Sequence, residues 1–588
     1  MSSVLRVAWL VAALAFAALW IGRSLGPALD PQVVQDDARQ HVFWMQRLVD
    51  PTILRDDLYA DYFASQAPPG YVLLFRVLMT FADPLPASKL LPPLLGLLAA
   101  AFTFLLVERL ARSRPAAFLA TVLGSWYVWQ YDDLPTGSPR AFLLPLTAML
   151  LYGLVAGWRW WAIVLVVAAE ALLYPSAAAL GVALVGARLL RLDRWPPRLD
   201  LDWRAWRAVV ASGVVCLVVL APTLLGNERF GPTVDAATAR TMPEFGPGGR
   251  NAFFSPNPYD FWIESYRSGF DLRVTDARVT GLPLLVLLLA LSGLLPVAAL
   301  VRRRRGGSMA LAPTAATIAQ IVLASLALFF LAHLLLFELY LPSRFVAWTI
   351  PLAAAIGAGV GIVALVEAIV KNAPTPQPPR CAAQISTSPT SLRTGEGEQV
   401  SLSPAHGGGG WGVGAPILIA LALALYPVPF DGNFVQDRTP EITAYLRSLP
   451  PDALVVGAPT DADSVPAFSG RRVLVNREYA LAYHLGFYRE VERRARDTID
   501  AYYAESPRQV QEFATRYGVS VFLVNETAFD PATAADAWSG AFAPYTDEVV
   551  RRVENGRRFA LQDAVRRCGA VTEGDVTAMS AACVMTLR

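Results

Sequence analysis

Eleven apolar segments divide this chain, and a chain so divided reads as one that crosses a membrane repeatedly. They run Val4–Ile21, Leu90–Val107, Pro115–Gln130, Ala141–Val155, Trp160–Leu173, Ala177–Leu190, Val209–Leu225, Leu282–Val301, Ile318–Phe337, Phe345–Val370 and Gly414–Tyr426. Several are shorter than the ~20 residues a perpendicular helix needs, so their ends are soft. Val4–Ile21 has no A-x-A-like cleavage site before Gly22-Arg23, so it reads as an uncleaved first span rather than a signal peptide. Lys89 and Lys371 are the only lysines, a bias that fits a GC-rich bacterial genome.

Arginine placement orients the spans. With the N-terminus inside, the short cytoplasmic loops hold Arg109/Arg112/Arg114, Arg159, the basic run from Arg188 to Arg207, and Arg302–Arg305. That is the excess of positive charge expected on the cytoplasmic side. The parity requires a hairpin at Tyr174-Pro175-Ser176, where proline breaks what could pass for one long helix. It places outside the cytoplasm the acidic first loop 23–89, the Asp132-Asp133 loop, the long loop 226–280 and everything after Tyr426. Segment 371–412, rich in Pro, Ser, Thr and Gly, reads as a disordered cytoplasmic linker.

The first loop carries the densest signal. From Pro31 to Phe63, Ala38, Val42, Met45 and Val49 recur at three- to four-residue spacing, with Phe43, Trp44 and Leu48 widening the face. That period predicts an amphipathic helix lying on the membrane surface, with Asp36 and Asp37 at its start. The pair could serve only as a helix-terminal charge, could act as a general base, or could hold a divalent metal through hard oxygen ligands. No CxxC, HExxH or phosphate-loop motif occurs, four scattered histidines do not suggest a His-based metal site, and a net charge of +2 gives nothing to attract nucleic acid.

Residues 431–588 differ in composition. Thr439-Pro440-Glu441 starts a helix. Ala453–Gly457, Arg472–Val475 and Val519–Val524 read as strands, with helices over Glu478–Tyr503 and Pro507–Tyr517. This alternation predicts a soluble α/β domain following a transmembrane domain of residues 1–430. Its Cys568 and Cys583 could pair if it lies outside the cytoplasm.

The remaining ionisable residues gather at the outer face of the membrane. Asp132, Asp133 and Arg140 flank the third and fourth segments, and Glu170 lies one turn inside the end of the fifth. His333 and Glu338 end the ninth, and Arg344 opens the tenth. Charges at membrane depth usually face a cavity or a partner, so all seven are candidate substrate-binding residues. Arg344 is conspicuous because a cation is unfavourable at a helix N-terminus. Glu338, the Asp36/Asp37 pair or a ligand phosphate would account for it.

An acidic pair just after the first span, Pro342-Ser343-Arg344-Phe345 opening a late span, and a C-terminal external domain resemble the GT-C membrane glycosyltransferases. That superfamily includes protein O-mannosyltransferases and the aminoarabinose transferase of lipid A. The resemblance implies a multi-pass enzyme of the bacterial inner membrane. It would move a sugar, with inversion, from a polyprenyl-phosphate donor to a glycan, lipid or protein acceptor outside the cytoplasm. Asp36 or Asp37 would be the base and Arg344 the phosphate ligand. A transporter or flippase of lipid-linked or anionic substrates, with Glu170 and His333 as relay groups, and a non-enzymatic envelope assembly factor are the other readings. A transporter should show internal repeats, and none is visible. Reporter fusions after Tyr426 are expected to be active only outside the cytoplasm; cytoplasmic activity there would overturn the orientation.

Overall fold

Apolar helices of uneven length dominate the computed structural model, which describes residues 2–131, 134–192, 196–225, 227–272, 284–305, 311–370, 410–425, 433–538, 543–555 and 558–588. Every apolar segment read from the sequence has helix within it. Among the described residues, seven helices are long and apolar enough to cross a membrane. Trp160–Leu173 and Pro175–Ala187 have 14 and 13 residues, so they extend only about 20 Å each. The chain is a multi-pass helical membrane protein, but a count of eleven full crossings does not follow from helix length.

Tyr174 separates those two short helices with extended backbone, and Pro175 opens the second. Gly181 packs directly against the Glu170 side chain, so the helices return side by side as the arginine parity required. Thr349–Val370 is central to the bundle. A Cβ at Gly359 would lie 2.5 Å from the backbone N of Ala120, and one at Gly361 would lie 2.6 Å from that of Leu295. Two neighbouring backbones therefore approach this helix closely, the packing that small residues permit between membrane helices. Linker 371–412 falls outside the described residues except for its last three, which belong to the helix Gly410–Leu425.

The first loop corrects the expectation of one surface helix. The chain forms a short strand, Val33–Gln35, then the helix Asp36–Val42, a 3-10 turn Phe43–Met45 and the helix Gln46–Val49. After a turn, Asp57 caps the helix Leu58–Gln66. Most of the apolar side chains that set the helical period are covered by protein, with Val49 exposed. Ala38, Val42, Phe43, Trp44 and Met45 are buried, and Phe43 stacks on Tyr479 with ring centroids 4.3 Å apart. A helical period reports an apolar face, not what covers it.

The cover is the C-terminal α/β region. Its five strands lie in the order Arg472–Val473, Leu454–Val456, Val521–Asn525, Val576–Ser580, Gly569–Glu573. The first three are parallel, and the closing hairpin is antiparallel. The sequence reading found the parallel strands and missed the hairpin, whose start is tied by a Cys568–Cys583 disulfide to the short helix after it. Helix Pro440–Ser448 begins as read, but the Thr439 side chain does not cap it. The Glu573 carboxylate accepts from the N–H groups of Glu441 and Ile442 instead. The expected helix from Glu478 starts only at Leu485, which leaves Glu478 and Tyr479 in a loop turned toward the first loop. Strand Val33–Gln35 pairs antiparallel with Phe434–Gln436, tying the chain after its first helix to the chain after its last apolar helix.

Gly359→Ala should destabilise the detergent-solubilised protein by about 1–3 kcal/mol, because backbone cannot yield to the added methyl. Gly414→Ala, with open space around it, should be neutral or better. Equal melting temperatures for the two variants would refute the close packing.

Candidate active site

The helix Asp36–Val42 explains why two acids can stand free at its start. The Gln35 Oε1 accepts from the N–H groups of Asp37 at 2.8 Å and Ala38 at 3.1 Å. Capping is thus done by Gln35, and both carboxylates turn to other partners. Asp37 pairs with Arg140, which sits in the 3-10 turn Pro139–Phe142. Asp36 pairs with Arg39, one turn along, at 2.5 Å.

Arg39 is itself buried and continues the chain of charge. Its guanidinium lies 3.3 Å from the Glu478 carboxylate and donates to Ser464 Oγ. Glu478 also receives Arg250 at 2.6 Å and the Gln40 amide at 3.1 Å. Burial opposes charge on Arg39, but Glu478, then Asp463 and Asp36, outweigh it and push its pKa up. Burial pushes Glu478 up to about 7 against the pull of Arg250. The first loop, the 227–272 segment and the C-terminal region meet in this network.

Arg344 lies in a 3-10 turn, Pro342–Phe345, ahead of the helix Thr349–Val370 rather than in that helix's first turn. Ser343 fixes the turn by donating from Oγ to the Tyr266 carbonyl at 2.7 Å. Arg344 and Asp36 both act electrostatically on Arg140. Arg344 also acts on His41, whose pKa is lowered to about 4, chiefly by burial. Two guanidinium groups, an acidic pair and a neutral imidazole therefore converge where the bundle meets the C-terminal region.

Four sequence-predicted residues, Asp36, Asp37, Arg140 and Arg344, come together there. Asp132 and Asp133 lie outside the described residues. Glu170 is buried against Gly181, and neither of its carboxylate oxygens has a hydrogen-bond partner. His333 hydrogen-bonds the Ser268 carbonyl at 2.9 Å inside a cluster of Phe253, Phe261, Trp262 and Phe329 rings. Glu338 is exposed and pairs with no described residue. Sequence reasoning missed Arg39, His41, Arg250 and Glu478. The i+3 spacing of Arg39 from Asp36 was the only signal available for any of them.

A divalent metal at Asp36 and Asp37 would compete with the ion pairs these acids already make. Each carboxylate is held by a guanidinium, and no group of three or more His, Cys, Asp and Glu suited to a metal occurs among the described residues.

No family model matches this chain, and no curated protein matches it. Solved structures do. The Archaeoglobus fulgidus oligosaccharyltransferase, crystallised in complex with Zn and sulfate, matches with a TM-score of 0.51 at 11% identity, covering 91% of this chain and 70% of that one. AglB from the same organism, in complex with an inhibitory peptide and a dolichol-phosphate, matches with a TM-score of 0.50 at 12% identity, covering 93% and 72%. The fold is that of these two oligosaccharyltransferase structures. ArnT from Cupriavidus metallidurans, bound to undecaprenyl phosphate, aligns over 98% of both chains at 13% identity, but its TM-score of 0.35 carries no argument.

Glu478→Ala should cost about 3–5 kcal/mol, because it leaves Arg39 and Arg250 without their shared buried anion. Glu490→Ala, which removes pairs with Arg493 and Arg494 on an outer helix face, should cost under about 1 kcal/mol. Denaturant unfolding in detergent measures both. A Glu478→Ala cost as small as that of Glu490→Ala would show that the network does not hold the layers together.

Proposed function

We propose that this protein is a membrane glycosyltransferase that takes its sugar from a polyprenyl-phosphate donor. The convergence of Arg140 and Arg344 on the Asp36/Asp37 pair at one end of a GT-C fold carries this reading. Two guanidinium groups within electrostatic reach of each other favour a bound anion, and a phosphate matches their fork geometry. A sugar hydroxyl is a poor nucleophile, so a carboxylate must take its proton. Asp36 is the better base. Its side chain is 34% exposed against 20% for Asp37, so an acceptor hydroxyl reaches it more readily, although each acid holds a guanidinium.

In one displacement, the acceptor oxygen bonds to the anomeric carbon as the bond from that carbon to the phosphate oxygen breaks. The proton goes to Asp36, and the electron pair leaves with the polyprenyl phosphate. Arg140 and Arg344 stabilise the charge that develops on it. The anomeric centre inverts. His41, kept neutral by burial, can hydrogen-bond the phosphate without adding a third charge. The Cys568–Cys583 disulfide supports an extracytoplasmic C-terminal region, since such bonds persist in oxidising compartments. With an odd number of crossings the N-terminus would then lie inside, which fits a protein of a bacterial inner membrane. No specific observation favours the transporter reading: His333 is held by a backbone carbonyl among aromatic rings.

Undecaprenyl phosphate should raise the melting temperature of the purified protein, and Arg344→Lys should cut its affinity by more than tenfold by removing the bidentate fork. Asp36→Asn should lower transfer about 10²–10⁴-fold while leaving that affinity intact. Full transfer by the Asp36→Asn/Asp37→Asn double variant would refute the mechanism.

A further inference from the structure

A polar cavity of about 920 Å³ has Asp36 in its wall. That volume lies in the upper part of the ~300–1,000 Å³ range of small-molecule sites. Its position follows from sheet order. Leu454–Val456 has Arg472–Val473 on one side and Val521–Asn525 on the other, all three parallel. The chain segments leaving the middle strand and Val521–Asn525 part at their carboxyl ends, which opens a crevice at a topological switch point. Thr460 and Asp461 come from the first of these segments and Asn525 from the second, while Asp36 and Arg39 enter the wall from the first loop.

The wall contains an unfilled demand. Asp461 Oδ1 accepts from the Asn525 amide at 3.0 Å, but its buried Oδ2 has no hydrogen-bond partner. Buried polar atoms are nearly always satisfied, so an orphan on a residue that lines a cavity marks a carboxyl whose rotation into that cavity would let a ligand complete the bonding. Burial also raises the Asp461 pKa to about 6, so near neutrality this carboxyl can exchange acceptor for donor roles. The neighbouring acid Asp463 is different, because Arg477 and the N–H of Glu478 already satisfy it.

Charge then selects the ligand class. Seven carboxylates line the cavity against three guanidinium groups, so an anionic ligand would meet like charge. Peptides grip through apolar side-chain pockets or a free strand edge. Most side chains here are polar instead, and carboxylate, amide and hydroxyl groups suit hydroxyls that both donate and accept.

We propose that this crevice is the acceptor subsite and that it takes an uncharged, polyhydroxylated glycan, with Asp461 and Asn525 holding its hydroxyls and Asp36 facing the one that reacts. The acceptor role rests on the glycosyl-transfer reading above; the glycan class rests on the crevice alone. The test is equilibrium binding to the full-length protein in detergent. The probes are neutral tetrasaccharides of glucose, galactose and mannose, with tetragalacturonate and a neutral octapeptide for contrast. At least one neutral tetrasaccharide should bind, and Asp461→Ala and Asn525→Ala should each weaken it by tenfold or more. Both variants should keep the wild-type affinity for undecaprenyl phosphate, which also checks that they fold. Tetragalacturonate should not compete. The proposal is overturned if no neutral tetrasaccharide binds, if binding is unchanged in both variants, or if tetragalacturonate or the peptide occupies the site instead. Glycan binding that depends on Asp461, in a protein that ignores undecaprenyl phosphate, would uphold the glycan crevice and sink the transfer reading.

Discussion

Burying a charge without a partner is among the most costly things a fold can do. Here that cost organises the molecule. Glu478 has no room for a solvent shell, so it must hold Arg39 and Arg250, and Arg39 must in turn hold Asp36. The four members come from three stretches of chain, with Asp36 and Arg39 on one short helix. The three stretches are therefore located by mutual neutralisation more tightly than apolar contact alone would achieve, since apolar contact is not directional. The carboxylate assigned as base is the terminal member of that relay and inherits its position.

The opposite balance holds a few ångströms away. Arg140 and Arg344 act on one another unfavourably, and among the described acids Asp36 and Asp37 moderate this. The guanidinium groups of Arg140 and Arg344 and the seven carboxylates of the cavity that Asp36 lines polarise the site before any ligand arrives. An anionic leaving group would be drawn toward the guanidinium groups and disfavoured in the carboxylate-lined cavity.

The parts of this architecture legible in the sequence were those set by local chemistry. Tyr174-Pro175 broke a helix as proline must, Pro507–Tyr517 formed between its proline start and Gly518, and the β-branched runs became the parallel strands. Asp36, Asp37, Arg140 and Arg344 were found because charge at membrane depth is rare. The failures share one cause. Phe43 and Met45 looked lipid-facing because their true cover, Tyr479 and its neighbours, lies more than 400 residues away in the chain. Glu478 looked like an ordinary helix-forming residue for the same reason. The Gly569–Ser580 hairpin lacks a strong strand composition and is held by a disulfide and by pairing with Val521–Asn525.

The antiparallel ribbon between Val33–Gln35 and Phe434–Gln436 has a consequence for biosynthesis. Asp36 directly follows one strand of the ribbon, and its own N–H is held by the Asn433 carbonyl. The segment bearing the proposed base emerges early in synthesis, but its pairing partner is made some four hundred residues later. At ~5–20 residues per second, that interval is on the order of 20–80 s. Throughout it, an apolar strand and a charged helix wait at the membrane without their cover. A nascent chain that stalls before Asn433 cannot close the ribbon or place Glu478, so an incomplete protein is an inactive one.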